Sequence, residues 1–234
     1  AKPISVRRYA GAIDQLAKTD KIDAQLIAEY AAVIQPRTTP NKSKNLILIK
    51  DLIARRRQIM HMRTQELNRI KIMGKSFELS CKRMIKVFDK EISSMETKLQ
   101  KCVDEQTEWS ERQAILLSAP GVGNTLAYTL LADLPEIGTL TNSQISKLVG
   151  VAPINHDSGK TKGKRRIIGG RANVRTTLYM ATLSATLCNP VIKSFYTKLK
   201  AKGKHSKVAL TACMRKFITI LNSMVRDKRE WCIS

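Results

Sequence analysis

The stretch from Asn41 to about Trp109 constrains the fold most, because it runs without proline while apolar residues recur at a spacing near seven. Leu46, Ile49, Ile53, Met60, Leu67 and Ile70 form one seam. Gly74-Lys75-Ser76 interrupts it, and Phe77, Cys81, Met84, Phe88, Met95, Leu99 and Cys102 form a second. Side chains at that period gather on one side of a helix and are buried only against another helix. The pattern therefore predicts two long helices folded back as an antiparallel coiled-coil hairpin. Arg56 and Arg63 fall on the first seam and weaken it, so packing onto a partner chain or onto RNA stays open as an alternative.

The charge balance narrows the partner. Across 234 residues, 42 Lys and Arg stand against 19 Asp and Glu, a formal net charge of +23. That excess is far beyond what solubility requires and points to a polyanion, with nucleic acid the default. It is uneven, since residues 155 to 234 hold 18 Lys and Arg and 3 Asp and Glu. The C-terminal third is thus expected to carry the main phosphate-contacting surface. With 43% hydrophobic residues the chain can bury a core, so a disordered tail is excluded.

Around the hairpin region, residues 1 to 36 are expected to begin extended or irregular and to turn helical at Thr19, with Thr19 or Asp20 as N-cap and Pro36 as the stop. The uncharged run Ala114 to Ala132 is long enough to raise a membrane span. Pro120-Gly121-Val122-Gly123-Asn124 breaks it, so two buried helices and no membrane contact are predicted. Ile145 to Val151 reads as a short helix or strand, Asn155 to Asn173 as a glycine-rich basic segment, and the remainder as two or three helices broken at Asn189-Pro190 and Gly203. Cys81, Cys102, Cys188, Cys213 and Cys232 are odd in number and scattered, which indicates reduced thiols in a cytosol and no zinc site.

Three motifs bear on chemistry. In Lys18-Thr19-Asp20-Lys21-Ile22-Asp23-Ala24, two carboxylates three residues apart share one helix face. They can help hold a hard divalent cation, or merely complement the helix dipole. Leu117 to Ala127 looks like the hairpin of a helix-hairpin-helix element, in which Gly121 and Gly123 would admit a phosphate to backbone N–H groups; a plain helical connector is the alternative. Pro153 to Arg166 sets Ser158 beside Gly159 and five cations, Lys160, Lys162, Lys164, Arg165 and Arg166. A serine so placed can attack a phosphodiester, or simply cap a turn. The run Gly159-Lys160-Thr161 is not an ATP-binding P-loop, because Ile154 stands where that motif needs glycine. Arg171, Arg175, Lys193, Lys198, Lys200, Lys202, Lys204, Lys207, Arg215 and Lys216 extend the basic surface, interleaved with Tyr179, Phe195 and Tyr196.

Together these segments resemble the insertion-sequence transposases of the Piv/MooV type, DEDD transposases that also use a serine and are described as bridge-RNA-guided recombinases. The resemblance runs from Lys18 to Ala24 through Pro120-Gly121-Val122-Gly123 and Gly150-Val151-Ala152-Pro153. It continues through Asp157-Ser158-Gly159, Gly169-Gly170-Arg171 and Arg175 to Tyr179, to Arg215-Lys216-Phe217 and Leu221-Asn222. It implies a mainly α chain in three parts: residues 1–40 as the C-terminal remnant of a RuvC-like α/β nuclease domain, 41–110 as the helical hairpin, and 111–234 as a mostly helical transposase domain.

By the same resemblance Asp20 and Asp23 match the third and fourth metal-binding acids and Ser158 the nucleophile, with Mg²⁺ held near it. Gly121, Gly123, Lys160, Lys162, Lys164, Arg165, Arg166, Arg171 and Arg175 would contact nucleic acid. The family's first two acids have no counterpart here, since Asp14 and Glu29 sit in no matching motif, so an N-terminally truncated chain of weak or absent activity is expected. The implied partners are DNA, a guide RNA and further copies of the chain, in the bacterial cytoplasm at the nucleoid. A non-catalytic basic nucleic-acid-binding module is the alternative reading.

Overall fold

The computed structural model describes residues 3–15, 17–36, 44–154, 163 and 166–232. Among them the chain is mainly helical, as expected: ten helices and one two-stranded ribbon. It divides into two compact units, residues 1–43 and 44–234.

The described part of the first unit is two helices, α1 (Pro3–Ala12) and α2 (Asp20–Ile34). Thr19 caps α2 as anticipated, its hydroxyl accepting from the Ile22 N–H at 3.3 Å. The helix ends at Gln35 in the left-handed region (φ 45°), just before Pro36. The stretch expected to be extended or irregular is helical instead. Ile4, Val6 and Gly11 give it weak propensity, and packing on α2 supplies the rest. Ala10 and Leu26 are buried, and the Tyr9 ring stands edge-on to Tyr30 with centroids 5.6 Å apart.

In the second unit α3 (Lys44–Ile72) and α4 (Lys75–Asp104) turn back on each other at Met73-Gly74. Arg56 pairs with Glu96 and Arg63 with Asp89, each at 2.5 Å, so seven residues forward on α3 match seven back on α4. The helices are antiparallel. The stripe on α3 that faces α4 passes through Ile49, Leu52, Arg56, Ile59, Arg63, Glu66 and Ile70, a 3-4 spacing, while Met60 and Leu67 are exposed. Arginine holds two inward positions because carboxylates stand opposite. The open end of the pair is anchored where Ile49, Leu99, Cys102 and Val103 meet Tyr128 and Ala132 of α6 (Asn124–Asp133).

The main core is built by α5 (Thr107–Ser118), α6 (Asn124–Asp133), α7 (Asn142–Val149), α8 (Ala172–Cys188), α9 (Pro190–Ala201) and α10 (Ser206–Asp227). Leu116, Leu130, Ile145, Leu178, Ile192 and Phe217 are fully enclosed there. The uncharged run is divided between α5 and α6, on either side of Pro120–Gly123. Asn189 caps α9 ahead of Pro190 and also donates to the Pro120 carbonyl at 3.1 Å. Buried Asn222 accepts from the Gly138 N–H and donates to the Leu140 carbonyl, both at 2.8 Å, fastening α10 to the turn before α7. By length and composition α10 alone among the described helices is apolar enough to cross a membrane. Its apolar face is buried in this core, and Lys207 and Arg215 stand on its open face.

Candidate active site and nucleic-acid interface

The glycine-rich basic segment leaves and rejoins the core through a two-residue antiparallel ribbon, β1 (Pro153–Ile154) and β2 (Arg166–Ile167), with Pro153 opposite Ile167 and Ile154 opposite Arg166. Ser158, Lys160, Lys162, Lys164 and Arg165 lie outside the described residues. What the structure shows is how the two ends of that segment are held.

α7 starts with a capping box, Thr141 and Gln144 bonding each other's backbone N–H, and stops at Gly150 in the left-handed region (φ +79°). Directly against Gly150 runs Gly170 (φ +84°). A Cβ on Gly170 would lie 2.4 Å from the Gly150 Cα, and one on Gly150 2.4 Å from the Gly169 carbonyl oxygen. The two chains cross in backbone contact that only glycine permits at both positions. The Arg171 N–H adds a bond to the Leu148 carbonyl at 2.9 Å.

Two of the sequence-assigned cations belong to this crossing. Arg171 grips Glu136 with both terminal nitrogens, at 2.5 and 2.6 Å, and also donates to the Asp133 carbonyl at 2.8 Å. The guanidinium beside Glu136 holds that carboxyl below the usual carboxylate range, against the opposing effect of burial. Its own pKa is raised in return. Arg175 donates to the Gly169 carbonyl at 2.5 Å, closing the turn before α8. Glu136 went unnoticed in the sequence because it lies 35 residues from Arg171 and in no motif.

The other assigned residues stand apart. Gly121 (φ +96°) presses on α8, where an added Cβ would be 2.7 Å from that of Ala185. Gly123, the N-cap of α6, is exposed with open space around it, and Arg166 is exposed on β2. Of the assigned backbone donors only Gly123 is free of such packing.

In the first unit Asp20 and Asp23 occupy the first turn of α2. Asp23 lines a cavity of about 710 Å³ between α1 and α2, together with Arg7, Lys18 and apolar Ile4, Leu26 and Ile27. Hard carboxylate oxygens suit a divalent cation in kind. They fall short in number, since no group of three or more metal-ligating side chains occurs among the described residues. Two cations also share the cavity wall.

Comparison with known proteins gives a consistent pattern. A model of the transposase IS116/IS110/IS902 family matches residues 113–197, and a DEDD-type transposase model from IS110 elements matches residues 1–73. The chain is 28% identical over 237 aligned positions to the pilin gene-inverting protein of Moraxella bovis, covering 98% of this chain and 72% of that protein. The corresponding protein of Moraxella lacunata is 27% identical over the same shares. An uncharacterized 43.6 kDa protein of insertion element IS110 from Streptomyces coelicolor is 28% identical over 48% of this chain and 28% of its own length.

Proposed function

We propose that the chain, which models of IS116/IS110/IS902 and IS110 DEDD transposases match over residues 113–197 and 1–73, cuts and rejoins DNA strands with Ser158 as the nucleophile. The observation that carries this reading is the order of the two family matches: Asp20 and Asp23 fall within the first, Ser158 and its basic segment within the second. The Ser158 Oγ forms a bond to phosphorus while the bond from phosphorus to one deoxyribose oxygen breaks. The serine proton passes to a base and the departing oxygen takes one up. A hydroxyl of another strand end then displaces serine, so the phosphodiester is restored and nothing is oxidised or hydrolysed.

Lys160, Lys162, Lys164, Arg165 and Arg166 offset phosphate charge in this reading. Arg171 and Arg175 hold the frame instead, since Arg171 already pairs with Glu136 and Arg175 with the Gly169 carbonyl. The family implies a divalent metal, for which Mg²⁺ is the proposed ion; Asp20 and Asp23 would give it two of the oxygen ligands it needs, and the ion would offer Lewis-acid chemistry. Further copies of the chain and a guide RNA complete the proposed set of partners.

The test is a plasmid bearing two element ends, with new junctions counted by sequencing. The unaltered chain forms them at a low rate, because Asp20 and Asp23 are only half of the expected set of acids, and Ser158→Ala forms none. Junctions made by Ser158→Ala at the original rate would refute the nucleophile, and DNA binding without junctions from either protein would favour a non-catalytic binding module.

A further inference from the structure

A second cavity, of about 640 Å³, opens beside the ribbon, between β1, β2 and the first half of α10. Its floor is apolar: Val151 at the ribbon base, Ile167 on β2 and Val208 on α10. Three cations stand around it, Arg166 from the ribbon and Lys207 and Arg215 from α10, and all three are exposed. Among the described residues no acid lines it and no carboxylate pairs with any of the three. This contrasts with Arg171, whose charge is met by Glu136.

Ile167 on β2 and Val208 on α10 remain 39% and 57% exposed. Apolar side chains ringed by unpaired cations suit a partner that is anionic along its edge and apolar between its charges. Lys207, Thr211 and Arg215 follow one another at four-residue steps, so they share one face of α10 and span about 12 Å. A strand of duplex DNA presents three to four phosphates over that length, at about 3.4 Å of axial rise each.

We propose that this groove is a binding track for a DNA strand, with phosphates on Arg166, Lys207 and Arg215 and deoxyribose faces on the exposed Ile167 and Val208. The floor favours deoxyribose over ribose, because a 2′-hydroxyl pressed against it gives up water for little in return. Thr211, the hydroxyl in the lining, already donates to the Lys207 carbonyl at 2.8 Å. The proposal rests on the reading of the chain as a DNA-rejoining protein. It adds where the strand lies relative to the Ser158 segment, on the ribbon from which that segment departs.

Binding of the full chain to a fluorescein-labelled 20-base-pair duplex, titrated at several salt concentrations, tests it. Lys207→Gln with Arg215→Gln is expected to weaken binding about tenfold near 0.15 M salt and to reduce the log–log salt slope by about 1.8. Arg166→Gln, from the opposite wall, reduces the slope by about 0.9. Lys86→Gln with Lys90→Gln, exposed on α4, removes the same charge away from the groove and is expected to change the slope far less. Equal losses from the two double variants overturn the groove and leave the DNA reading standing. No duplex binding by the unaltered chain, even at low salt, overturns both. Tighter binding of a matching RNA, lost in the groove variants, overturns the assignment to DNA.

Discussion

Gly170 and Gly150 are the positions where a single methyl group changes most. Gly170→Ala drives a Cβ to 2.4 Å from backbone at a φ of +84°, where no rotamer can relieve it. The expected cost is about 2–4 kcal/mol, read as a lower urea midpoint with unchanged slope. Arg171→Ala releases a part-exposed pair and is expected to cost about 1 kcal/mol after solvent screening. The pair also sets a pH dependence. Glu136 has a folded pKa lowered below its ordinary value of 4.5, so its contribution is complete above that value and drains away as pH falls through the lowered one. Acid titration of stability should therefore be shallower in Arg171→Ala than in the unaltered chain. The glycines and the arginine were visible in the sequence as motif letters. Their reason was not, because Gly150 meets Gly170 and Arg171 meets Glu136 only once the chain has folded.

The helical pair α3–α4 was legible as two long helices because its period lies in nearest-neighbour spacing along the chain. The stripe that faces inward was less so. Periodicity put Met60, Leu67 and Arg56 on one seam, yet Met60 and Leu67 are exposed while Arg56, with a side chain only 11% exposed, takes an inward place because Glu96 reaches it at 2.5 Å. This pair is asymmetric. Glu96→Ala strands a nearly buried guanidinium and is expected to cost about 1–3 kcal/mol, whereas Arg56→Met replaces it with an apolar side chain and should stay within about 1 kcal/mol of the unaltered chain. Urea midpoints of the two variants check it, and equal losses would contradict the argument. Helix α1 marks the opposite limit: its sequence is a weak helix former, and only the contacts of Ala10 and Tyr9 with α2 make it one.

Over the whole molecule, composition and motif order pointed to a polyanionic partner and a transposase ancestry, and both family matches agree with that order. The cysteines report on the same packing. Cys188 and Cys232 are exposed, while Cys81, Cys102 and Cys213 are buried, and burial pushes the Cys213 thiol up to about 11. Brief alkylation at pH 8 in the folded state should modify Cys188 and Cys232 and spare the other three, as read by peptide mass spectrometry. Which cations lack an acid partner among the described residues was not legible, because Arg166, Arg171 and Arg215 carry equal formal charge in a sequence and differ only in whether an acid stands opposite. The nucleophile itself is most directly tested by incubating the chain with a DNA substrate carrying element ends, denaturing, digesting, and searching for a peptide bearing a nucleotide phosphate. The account predicts that adduct on Ser158 and its loss in Ser158→Ala. An adduct on another residue, or strand exchange proceeding with no adduct in Ser158→Ala, would contradict it.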